Sequence, residues 1–126
     1  MSESAEASAF PRRFPRRGEI YDVDLGEPRG AVQAYKRPAL ILSNDVGNEH
    51  ARHVIVAAIT TKIPKKPPSV SVVIPPGTLP HESTILCAHI FSVDKADLLR
   101  HRGDLPEADM KRVNSAVAKA LSLKLG

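Results

Sequence analysis

Prolines punctuate this sequence in a way that rules out most architectures. From Glu19 to Val93 the chain is a series of short apolar runs: "EIYDVDL" (19–25), "RPALILSN" (37–44), "HVIVAAITT" (53–61), "VSVVI" (70–74) and "TILCAHIFSV" (84–93). Between them lie "GEPRGAVQAYK", "KIPKKPPS" and "PPGTLPHES". Proline donates nothing to a β ladder, so these separators must loop out of any sheet. Short runs rich in Val, Ile and Thr between such breakers read as strands. In 19–25, Ile20, Asp22 and Asp24 alternate with Tyr21, Val23 and Leu25, the period of a half-buried strand. The run at 53–61 is too continuously apolar to leave a solvent face, and "DVGNEHAR" (45–52) reads as a turn or a single helical turn. Pro38 is tolerable only in the first positions of its strand or on an edge.

Helical periodicity emerges only at the end. From about Pro106 to Leu123, the residues Met110, Val113, Val117 and Leu121 recur at spacings of three and four and share one face. Pro106 stands in or beside the first turn, and Glu107 and Asp109 sit at the positive end of the helix dipole. "DKADLL" (94–99) suggests a helical turn, and "RHRGD" (100–104) a short charged connection. Without βαβ alternation, the sheet should be mainly antiparallel and strongly curved or barrel-like, with the helix packed on it. The class is therefore α+β, mostly β, and 126 residues suffice for one modest core.

Charge narrows the function less than its total suggests. The formal charge is +4, but residues 1–17 hold Arg12, Arg13, Arg16 and Arg17 against Glu3 and Glu6, half of that excess. This polar, proline-interrupted segment is expected to be a disordered basic arm over 1–16, with the folded domain at 17–126. A single cysteine, Cys87, excludes an internal disulfide and fits a reducing cytoplasm. Its apolar neighbours make it a core residue. No apolar run reaches the length of a membrane span, so a cytoplasmic protein is expected.

Few motifs carry chemistry. His50 and His53 have metal-compatible spacing but no matching third ligand, and surface histidines are the better reading. Cys87 and His89 would share a face of a regular strand. There is no phosphate-cradling glycine loop and no cofactor fingerprint, so neither cofactor nor metal is expected. "TTKIPKKPP" places Thr60 and Thr61 beside Lys62, Lys65 and Lys66, hydroxyls and ammonium groups that suit an anionic backbone.

In order along the chain, "RGEIYDVDL" (17–25), a glycine-containing loop with Gln33, "RPALILSND" (37–45), "VAAIT" (56–60) and "STILCAHIFSVDKADL" (83–98), closed by the helix, resemble the MazF/PemK family of toxin endoribonucleases. The resemblance implies an SH3-like barrel of the CcdB/PemK type with a curved antiparallel sheet and a C-terminal helix, working as a homodimer. It also implies metal-independent, sequence-specific cleavage of single-stranded RNA, and neutralisation by a MazE-like antitoxin with an acidic tail. By position, Arg37 matches the family's catalytic arginine and Thr60 the threonine that closes the third strand. Gln33, Lys36, Thr61, Lys62, Lys65 and Lys66 would contact RNA. Val32 and Ala88 stand where family members carry acidic residues, which leaves Glu27, His89 or no strong base at all for proton transfer.

Two other readings share the fold. A CcdB-like toxin would bind a protein such as DNA gyrase through a C-terminal tryptophan, and this chain contains no tryptophan. A non-catalytic RNA-binding module would bind without cutting.

Overall fold

The computed structural model describes residues 14–26, 36–61 and 70–124. Within them the apolar runs become β1 (Glu19–Asp24), β2 (Lys36–Ile41), β3 (His53–Thr60), β4 (Ser71–Ile74) and β5 (Ser83–Asp94). A short helix, α1 (Asp45–His50), joins β2 to β3, a 3-10 turn (Lys95–Asp97) leads into β6 (Leu98–Asp104), and α2 (Glu107–Leu121) ends the fold. All pairings are antiparallel, in the order β4-β5-β3-β2-β1-β6. The end strands β4 and β6 do not pair with each other, so the curved sheet stops short of a closed barrel. It curls far enough for the loop after β4 to meet β6. There, a Cβ on Gly103 would lie 2.9 Å from Thr78 Cγ2 and 3.3 Å from the Thr78 carbonyl oxygen.

Both faces of the sheet are buried. The register pairs Leu40 with both Ile20 and Ala57, and Ala39 with both Tyr21 and Ala58. Ile20, Leu40 and Ala57 belong to the cluster that meets α2, together with Ile59, Val72, Ile85, Cys87, Met110 and Val113. On the opposite face Tyr21 and Ala39 join Val23, Ile41, Val54, Val56, Val93 and Leu98. Each fully buried Ile, Leu or Val contributes about 1.5–3 kcal/mol, so the two clusters together hold the register. The β1 alternation therefore does not divide core from solvent, because Ile20 and Tyr21 are both fully buried on opposite faces.

Three details differ from the sequence-based expectation. The charged segment 100–104 is part of β6, held against β1 by an Arg102–Asp22 ion pair of 2.9 Å rather than by apolar alternation. Strand β3 has an exposed position, Ile55 at 44% accessibility. The face of α2 that packs down is Met110, Val113 and Ala118, with Ala116 and Val117 partly buried, while Leu121 is exposed. The helix ends as Ser122 turns left-handed and Leu123 N–H donates to the Ala118 carbonyl at 2.8 Å.

Of the arm expected over 1–16, residues 1–13 lie outside the described residues. The chain that follows is tied to the domain. Arg17 N–H donates to Asp45 Oδ1 at 2.8 Å, its Nε donates to the Leu42 carbonyl at 2.8 Å, and Gly18 N–H donates to the Ile41 carbonyl at 2.9 Å.

Because an added Cβ would press on the Thr78 methyl as well as its carbonyl, Gly103→Ala should lower the unfolding free energy by about 1–3 kcal/mol. Urea titration checks this, and an unchanged midpoint would contradict the close approach of the β4–β5 loop to β6.

Candidate functional site

The geometry of the site follows from the register. Arg37 pairs with Val23, and Ala39 pairs with Ala58, so the β2–β3 register carried two residues further sets Arg37 opposite Thr60. Residues two apart share a face, which places Arg37 with Ala39, and Thr60 with Ala58. Both line one open groove of about 460 Å³. Pro38 lies beyond the first β2–β3 pair, at Ala39, so its missing N–H costs no β2–β3 rung. Arg37 and Thr60 are each half-buried. Such a position holds a side chain by packing while leaving its head accessible.

A bulge in β5 shapes the other wall. Ala57 pairs with Ile90 and the next residue, Ala58, pairs with Leu86, so Cys87, Ala88 and His89 bulge out opposite that single step. Cys87 N–H instead donates to the Val70 carbonyl at 3.1 Å. Bulges break alternation and re-aim side chains. Cys87 is fully buried on the α2 side, whereas Ala88 and His89 are exposed and line the groove. The shared face expected for Cys87 and His89 is thereby corrected.

The structure thus brings Arg37, Thr60 and His89 to one groove, with Ala88 beside His89. Lys36, opposite Asp24, and Thr61, just past β3, are exposed next to it in sequence. Glu27, Gln33, Val32, Lys62, Lys65 and Lys66 lie outside the described residues. Leu86, Ile90 and Phe91, also on β5, complete the apolar part of the groove. Spacing alone missed them, because a regular strand would not turn both Leu86 and Phe91 to the same side.

Electrostatics separate the two titratable groups with clear shifts. Burial pushes the Cys87 thiol up to about 11, which makes it an inert core group. Asp94 is held below the usual carboxylate range by the Ala96 N–H and by Arg52, whose Nε donates to Asp94 Oδ2 at 2.8 Å. Among the described residues, one metal-compatible cluster exists, Glu19, His101 and Asp104, and it does not line the groove. His50 and His53 are both exposed.

The fold is thus a small antiparallel sheet with a terminal helix and an open groove on its strands, lined by Arg37 and Thr60. Residues 16–121 match the family described as the PemK-like, MazF-like toxin of type II toxin–antitoxin systems. The chain belongs to that family. It is 38% identical over 110 residues to Endoribonuclease MazF of Staphylococcus saprophyticus, covering 86% of this chain and 92% of the relative. A mycobacterial structure described as an endoribonuclease in complex with its cognate antitoxin superposes with a TM-score of 0.73 at 29% identity, over 89% of this chain and 99% of the other. MazF from Deinococcus radiodurans has the same fold, with a TM-score of 0.72 at 20% identity, over 89% and 100% of the two chains. Family membership and the MazF relative support an endoribonuclease.

The buried thiol gives a direct check on the bulge. In the folded protein at pH 8, Cys87 should resist iodoacetamide and react only on unfolding. Rapid labelling of the native protein would mean that Cys87 faces the groove.

Proposed function

We propose that this chain is the toxin of a type II toxin–antitoxin system that cleaves single-stranded RNA, including mRNA, at specific sequences without a metal ion. In this reaction the substrate's 2′-oxygen bonds to the adjacent phosphorus and the bond from phosphorus to the 5′-oxygen breaks. The products are a 2′,3′-cyclic phosphate and a 5′-hydroxyl end. One proton leaves the 2′-hydroxyl and another reaches the departing 5′-oxygen.

The observation that carries this reading is the meeting of Arg37 and Thr60 across β2 and β3 in one groove. A guanidinium suits the phosphorane, since its planar fork donates two hydrogen bonds and stays charged. Its pKa above about 12 makes it a poor base. The Thr60 hydroxyl positions a phosphate oxygen or the 2′-hydroxyl. His89, on the bulge at the same groove, is the described group suited to move a proton, a role that contributes about 10²–10⁴ in rate. Glu27 is the second candidate for that role. Lys36, Thr61, Gln33, Lys62, Lys65 and Lys66 guide the RNA backbone through charge and hydroxyl contacts.

The working form is a cytoplasmic homodimer, silenced by a MazE-like antitoxin with an acidic tail. The mycobacterial neighbour solved with its antitoxin supports such a partner, and no helix among the described residues is long and apolar enough to cross a membrane.

Purified protein in EDTA should convert a single-stranded RNA pool to fragments with 2′,3′-cyclic phosphate ends, read by mass spectrometry. Arg37→Ala should slow cutting by about 10²–10³, the cost of losing one transition-state donor. Intact RNA with the wild type, or unimpaired cutting by the variant, would overturn the assignment.

A further inference from the structure

The groove is charged at one end and apolar at the other. Phe91 is paired with Val56, four residues along β3 from Thr60, which at a rise of about 3.3 Å per residue sets it about 13 Å along the strand. Phe91 is half-buried, packed like Leu25 against the cluster of Tyr21, Val23 and Val56, and among the described residues lining this groove it is the one phenyl ring, beside the imidazole of His89 on the bulge. Leu25 and Phe91 also border a second depression beyond them, lined by Asp24, Asp94, Asp97 and His53. The Asp94 carboxyl there is kept ionised by its Ala96 and Arg52 contacts.

This pattern orients a nucleotide. A phosphodiester track is favoured at the Arg37 end, whereas Leu25, Ile90 and Phe91 at the other end offer it no cation, so what lies on the apolar end is a base rather than the backbone. We infer that Phe91, backed by Leu25, is the stacking platform for an unpaired base of a nucleotide flanking the cut, and so a specificity-determining residue of this enzyme. The inference rests on the endoribonuclease reading. An aromatic ring accepts the π-face of any base, and the floor of packed side chains fixes the ring's plane. Leu25 and the apolar cluster beneath it hold the platform rigid, so that ordering it does not fall on the RNA. Selectivity then arises from which base the remaining walls admit on that platform.

The test uses the full chain and a sequenced pool of single-stranded RNAs. Cutting is read for wild type, Phe91→Ala, Phe91→Leu and Phe91→Tyr, each shown to be folded by its thermal transition. Binding of a 2′-deoxy analogue of the preferred site is followed in parallel by fluorescence anisotropy. Phe91→Ala should raise KM and weaken analogue binding about tenfold with a much smaller change in kcat, and should flatten the base preference at one position beside the cut. Phe91→Leu, which keeps apolar bulk without a π-face, should share the defect, and Phe91→Tyr should restore both readouts. Unchanged KM and base preference in either Phe91→Ala or Phe91→Leu, with the wild type cutting normally, would overturn the stacking role and leave the nuclease reading intact. A wild type that cuts no RNA would overturn both.

Discussion

Burial of both faces of one sheet is the constraint on which the rest of this structure depends. A slip of one residue between β1, β2 and β3 would exchange the row Ile20, Leu40 and Ala57 with the row Tyr21, Ala39 and Ala58. Each row is built for its own cluster, one against α2 and the other against the far wall, so no such slip is tolerated. The turn between β2 and β3 reinforces it. Buried Asn48 donates through Nδ2 to the Ser43 carbonyl at 2.9 Å, and Ser43 Oγ accepts from Ile55 N–H at 2.9 Å. Arg37 and Thr60 inherit their opposition from that register.

The bulge in β5 adds the second requirement. Without it, β5 would run in one register along β3, and the side chains from Leu86 to Phe91 would alternate between faces. By absorbing Cys87, Ala88 and His89 at one step, the strand sends the thiol into the α2 cluster and brings His89 to the groove. Stability and site geometry are coupled here, because the buried Cys87 side chain anchors the segment that presents His89.

Much of this was legible in the sequence. Apolar runs bounded by proline and glycine marked β1 to β5, and the spacing of Met110 and Val113 marked α2. Strand β6 was not legible, since only Leu98 is a buried apolar residue in it. Its cohesion comes from cross-strand pairs that no local period encodes: the Arg102–Asp22 ion pair, and the His101 ring with its centroid 5.3 Å from that of Tyr21. Arg37 and Thr60 were singled out by the family resemblance, and regular strand geometry extended from the paired residues sets them at one groove. Phe91 was not, because its position depends on an irregularity that periodicity arguments assume away. Leu121 illustrates the same limit, as it shares the helical face of Met110 yet stands exposed in the last turn.

The central claim is that Arg37 and Thr60 act on one phosphate because the register sets them together. A double-mutant cycle on RNA cleavage tests this most directly, using Arg37→Ala, Thr60→Ala and the pair. Groups that serve one transition state are strongly non-additive, so the double variant should cut within about threefold of Arg37→Ala alone. Rate losses that multiply across the two substitutions would show two independent contributions and contradict the shared site.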